Sequence, residues 1–192
     1  MRNPLPFLSA LALASALPWA VADAGDRFIT QNAEITFFSS TPAEDIEASN
    51  GSVAVVLDPA ENSLAFSVPM QAFAFEKALM QEHFNQERFL HTSEHPRATF
   101  RGTITDPDQV DFNTDGEYPV EVKGSLEIRG VERPVTEKGT IVVDGDNLHL
   151  RTRFELTLAA YGITFVKGKP ATNIADTVEV TVDAAQLVPV AS

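Results

Sequence analysis

Four histidines carry most of the chemistry this chain can offer: His83, His91, His95 and His149. His91 and His95 stand four apart, the spacing that places two imidazoles on one helix face, where they can share a metal ion. Pro96 follows His95 directly and disfavours helical geometry there. His83 lies nearby, so His83, His91 and His95 form the candidate set for a metal-dependent enzyme, the least favoured of three readings. His83 also sits beside Phe84, where a ring nitrogen can meet a backbone group or the polar end of a ligand. His149 falls on the outward side of a strand. Other carboxylates cluster in turns. Asp106, Asp108 and Asp111, like Asp144 and Asp146, are spaced for turn chemistry or a calcium ion. Glu44, Asp45 and Glu47 read as a solvated loop. Arg97 and Arg101 flank Phe100 on an outward face, where ion pairs or a ligand diphosphate would suit them.

Most catalytic signatures are missing. The chain has no Gly-x-Ser-x-Gly elbow, no His-Glu-x-x-His pair, no Gly-rich phosphate loop and no dinucleotide fingerprint. Cysteine is absent, which removes thiol catalysis, disulfides and thiolate metal sites together. The 14 Lys+Arg stand against 27 Asp+Glu, a net charge of −13, so a nucleic-acid partner is excluded as an expectation. No cofactor, no resident metal and no enzymatic activity are expected.

The elements that must position these residues are mostly strands. Apolar and polar residues alternate along Leu64–Met70, Val120–Arg129, Leu148–Leu158 and Val178–Val182. Ala98, Phe100, Gly102 and Ile104 share one face. Weaker signals lie at Phe28–Phe38, Val53–Leu57 and Val135–Val143. That makes about eight strands, separated by turn signals at Asp58-Pro59, Asp106-Pro107, Gly130 and Asp144-Gly145-Asp146. Only Phe75–Phe89 breaks the period, with Phe75, Leu79, Met80, Phe84 and Phe89 near helical spacing. The pattern suits an up-and-down barrel with a helical flap, and it equally suits a β-sandwich.

The N-terminus reads differently. Arg2, the apolar run Leu5–Leu17 and the small-x-small triplet Ala20-Val21-Ala22 have the form of a secretory signal peptide. The expected division is 1–22 signal peptide, cleaved after Ala22, and 23–192 a single domain. With its acidic charge and lack of cysteine, the mature chain is expected in the periplasm.

Three segments then carry a resemblance. Lys77-Ala-Leu-Met-Gln-Glu-His-Phe-Asn85 is followed by Ser93-Glu-His-Pro-Arg-Ala-Thr-Phe-Arg-Gly102 and by Val122-Lys-Gly-Ser-Leu-Glu-Ile-Arg-Gly-Val131. In this order the chain resembles the YceI family of exported bacterial proteins, from roughly Ile35 to Leu187. The resemblance implies an all-β fold, an eight-stranded antiparallel lipocalin-like barrel with a short helical segment closing one mouth. It also implies a long apolar tunnel for a polyisoprenoid or other long-chain lipid, and no general catalytic role.

The residues fit that expectation. There are 13 Phe but only 2 Tyr, rings without hydroxyls that suit a hydrocarbon chain. Gly102 shares a face with Phe100, and Gly124 with Leu126, which suggests room inside the barrel for a guest. Phe66, Val68, Phe100, Val122, Leu126, Phe154, Leu156 and Phe165 are expected on the inner wall. Phe75, Leu79, Met80 and Phe84 are expected to close one mouth, with His83 beside them and Tyr161 and Gly162 at the entrance. The favoured function is a periplasmic binding or carrier protein for an isoprenoid quinone or polyprenyl compound, with transient membrane contact. The alternative is a filled barrel acting as a stress-related interaction module. The chain is expected as a monomer, or as a homodimer through Phe84 and Phe89.

Overall fold

The computed structural model describes residues 27–164 and 174–190. Strands β1 (Arg27–Ser40), β2 (Asp45–Asp58) and β3 (Ser63–Pro69) open the chain. A two-residue strand β4 (Ala74–Phe75) and helix α1 (Ala78–Asn85) follow. Then come β5 (Arg97–Ile104), β6 (Gly116–Ile128), β7 (Val131–Asp144), β8 (Asn147–Thr157) and β9 (Thr177–Val190). The sheet order is β1-β9-β8-β7-β6-β5-β3-β2, and β1 pairs with β2, so eight antiparallel strands close on themselves. Closure leaves no long edge exposed for pairing with another chain. Only β4 stands outside it, paired to β2 through Ala48↔Phe75 and Ser49↔Ala74.

Alternation sets the inside of this barrel, as the sequence predicts. On β6 the ladder to β7 runs unbroken from Gly116↔Val143 to Ile128↔Val131. Arg129 and Gly130 make the hairpin turn, both with positive φ (53° and 72°), a two-residue connection that matches strand twist. One end is packed shut. Leu57, Leu148 and Leu187 are fully buried there, and Leu148 lies opposite both Leu187 and Val143. Asp58 closes the β2–β3 turn at this end. Its carboxylate accepts from the Ala60 and Glu61 amides and from Arg27 Nε at 2.8 Å.

The wall splits at one place. β7 and β8 pair only from Gly139↔Thr152 to Asp144↔Asn147. Beyond that point Val131–Lys138 pairs with β6 alone, and Arg153–Thr157 with β9 alone. The 3-10 turn Leu158–Tyr161 packs against β7, and Arg133 Nε donates to the Ala160 carbonyl at 2.9 Å.

Candidate functional site

The barrel interior is not filled. An apolar cavity of about 190 Å³ runs between the packed end and the helix-capped mouth. Protein interiors leave few voids larger than a water molecule, so this is a built space and not a packing defect. Leu64, Phe66, Val68 and Met70 of β3 line it, as do Ala98 and Phe100 of β5, and Val120, Val122, Leu126 and Ile128 of β6. Leu150, Phe154 and Leu156 of β8 and Val178, Val180 and Val182 of β9 complete most of the wall.

The mouth is closed by rings. Phe84 is the one buried residue of α1, 5% exposed. It stacks on Phe37 of β1 at 5.8 Å between centroids and meets Phe73, Phe75 and Phe89 at 5.4, 5.0 and 5.7 Å. Tilted contacts at this spacing suit aromatic quadrupoles. Leu90 adds an aliphatic contact to the cavity wall.

Of the residues expected at the site, Phe66, Val68, Phe84, Phe100, Val122, Leu126, Phe154 and Leu156 lie on the cavity wall. Phe165 lies outside the described residues, as does the 1–22 segment. Phe75 packs on Phe37 and Phe84 behind the wall. Leu79 is 62% exposed and Met80 half-buried; α1 presents only Phe84 to the cavity, so neither closes it. His83 is half-buried and also off the wall. Tyr161 is 3% exposed, off the cavity wall, in the turn that packs on β7. Burial pushes its phenol pKa up, against a smaller opposing effect of Arg133 and with Glu137 adding to the rise.

The inward glycines do a different job from the one expected. Gly102 and Gly124 face each other across β5 and β6. A Cβ on Gly102 would stand 2.6 Å from the Phe100 ring tip and 2.7 Å from the Lys123 carbonyl. One on Gly124 would collide with the Arg101 carbonyl and lie 2.8 Å from the Phe100 ring. The space is taken by Phe100 and by close strands, so it is not left for a guest.

Sequence reasoning passed over several wall residues: Ile35 and Phe37 on β1, Phe73 before α1, and Ile163 and Ile174 at the mouth. It also missed the polar edge. Glu137, Lys138 and Thr152 border the cavity where β7 leaves β8. Thr152 Oγ1 donates to the Lys138 carbonyl at 2.7 Å. Burial raises the Glu137 carboxyl pKa above its ordinary value.

The other polar candidates do not reach the cavity. Arg97 donates to Ser67 Oγ at 2.8 Å on the outer face. The Asp111 carboxylate is held below its ordinary pKa by the Asn113 amide and the Thr114 hydroxyl, ordinary turn bonding. His149 Nε2 lies 2.6 Å from Asp183 Oδ1. The candidate metal set of His83, His91 and His95, the least favoured reading, does not assemble: among the described residues His91 and His95 meet Glu94 instead.

The model of the YceI-like domain matches residues 24–185. The chain belongs to the YceI-like family. The YceI-like barrel also has solved neighbours. A polyisoprenoid binding domain from Saccharophagus degradans superposes with a TM-score of 0.71 at 10% identity, over 85% of this chain and 99% of that one. BcnA of Burkholderia cenocepacia gives 0.63 at 18% identity, over 79% and 94%. The YCEI protein of Campylobacter jejuni gives 0.59 at 12% identity, over 77% and 88%. No curated protein matches the chain by sequence. At these identities the YceI-like structures share the fold of this chain: a closed eight-stranded antiparallel barrel with one short helix.

Proposed function

We propose that this protein binds a long apolar lipid in its barrel, an isoprenoid quinone or polyprenyl compound, and carries or stores it in the periplasm without chemical change. The observation that carries the reading is the cavity: about 190 Å³ lined almost wholly by hydrocarbon side chains inside a closed barrel. The family and the polyisoprenoid-binding neighbour point the same way. Each methylene removed from water contributes about 0.8 kcal/mol, and every isoprene unit taken out of water offsets part of the cost of association, about 4–15 kcal/mol.

The lipid tail occupies the cavity, and its polar end sits at the β7–β8 split, where Glu137, Lys138 and Thr152 supply a polar edge to the described wall. Entry requires the Phe84 plug or the Leu158–Tyr161 turn to move. In this reading Leu79, exposed on α1, makes brief membrane contact during exchange. Export rests on the signal-peptide form of residues 1–22.

Native mass spectrometry of protein isolated without detergent from its own kind of bacterium tests the binding. A discrete added mass that extracts into organic solvent and has an isoprenoid fragmentation pattern is the expected result. A bare polypeptide that also fails to take up polyprenol from vesicles overturns it. Trp19 is the only tryptophan, so the exported form must lack tryptophan emission.

A further inference from the structure

We propose that His91, Glu94 and His95 form a binding site for a divalent transition ion of the zinc class at the rim of the cavity mouth. The three side chains bring their donor atoms within 4.8 Å of one another. His91 Nδ1 stands 3.1 Å from Glu94 Oε2. The two imidazole rings lie 6.0 Å apart, nearly perpendicular. This mixture of two nitrogens and one carboxylate oxygen is a common zinc donor set. A tetrahedral ion with bonds of about 2.0–2.1 Å needs donors about 3.4 Å apart. Glu94 is 65% exposed, so its carboxylate has room to turn from His91 toward an ion shared with His95.

The backbone explains the convergence. The amides of Glu94 and His95 both donate to the His91 carbonyl, at 2.9 and 2.8 Å. This single helical turn places His91 and His95 on one side despite Pro96, which lies just past it. On a helix, His-x-x-Glu-His serves zinc peptidases with the carboxylate as base. Here the turn aims the Glu94 oxygen at His91 itself, which makes it a third donor and leaves at least one position open to water. His95 is held from below. Its ring packs on Gly130 of the β6–β7 turn, where a Cβ would stand 2.9 Å from Cε1. Phe89 and Leu90, immediately before the turn, line the cavity, so a bound ion sits directly on the segment that closes the mouth. The site is separate from the apolar cavity, and its metal does not depend on the lipid reading.

The test is calorimetric titration of the EDTA-treated, dialysed protein with zinc alone, with cobalt as the visible probe. One equivalent should bind, and the cobalt adduct should show ligand-field absorption of a four- or five-coordinate ion. H91A and H95A should each weaken binding by about tenfold or more, whereas H149A and H83A should not change it. In the unaltered chain, zinc should shift the ring-nitrogen resonances of His91 and His95 and leave those of His83 and His149 in place, a readout that needs no variant to fold. Absence of saturable binding overturns the proposal. So does a one-site isotherm that H91A and H95A leave intact, or a zinc shift confined to His149 or His83.

Discussion

Gly102 lies directly opposite Gly124 on the cavity side of the β5–β6 ladder, and the Phe100 ring covers both. The pair lets two strands approach closely and gives one aromatic ring a floor. Gly124→Ala should therefore destabilise the barrel by about 1–3 kcal/mol, the range for overpacking, measured by urea unfolding. Gly51→Ala is the control. Its added methyl meets nothing within 4 Å, so its stability should stay within about 0.5 kcal/mol of the unaltered chain.

The mouth should show the same contrast on one helix. Phe84→Ala removes the ring at the centre of the aromatic plug and should cost about 3–5 kcal/mol. Leu79→Ala, on the exposed side of α1, should stay within about 0.5 kcal/mol. Thermal melts of both variants check the pair. Equal losses would mean that α1 packs by a different face.

Asp58 predicts an acid limb. Its bond from Arg27 holds the carboxyl pKa below the usual value, with the Ala60 and Glu61 amides helping and burial opposing. A depressed carboxyl contributes stability fully above its unfolded value, about 4, and loses it as pH falls through the lower folded value. Asp58→Asn should cost about 1 kcal/mol at pH 7, a modest figure because Arg27 is largely exposed and screened. The gap to the unaltered protein should close as acid titrates below about pH 4.

Glu137 predicts the opposite slope. Burial raises its pKa, so the charged carboxylate weakens the fold as pH rises through the raised value. Glu137→Gln should be the more stable protein at pH 8 and should lose that advantage at acid pH. Melts across pH check the sign; a constant difference at all pH values would place Glu137 in solvent.

Much of this was legible in the sequence because a strand has period 2 and a barrel has one inside. Leu64 to Met70 and Val120 to Ile128 face the cavity on alternation alone. Glu137 stood in the inward phase of its strand, between Val135 and Gly139, yet a reading that counts only apolar residues passes over it. β1 was a weak signal, since Gln31 and Asn32 precede a register break near Ala33 and Ser39 is a polar residue buried at its end, bonded to the Ala175 amide. Gly102 and Gly124 misled because a missing side chain marks close contact as readily as empty space. Tyr161 and the His91–His95 turn lie outside regular elements, where no period fixes a direction. There, hydrogen bonds such as His95 N–H to the His91 carbonyl decide the geometry.

The central claim is that the barrel interior holds the lipid. The most direct measurement is titration of the delipidated protein with a fluorescent polyprenyl probe, comparing the unaltered chain with Val122→Trp, a variant whose indole fills the cavity from β6. Circular dichroism and a melt first establish that the variant folds. Saturable one-to-one binding by the unaltered chain, reduced about a hundredfold or more in Val122→Trp by loss of roughly 3 kcal/mol of burial, is the predicted result. Equal binding by the two folded proteins would contradict the account, because the lipid would then lie outside the barrel.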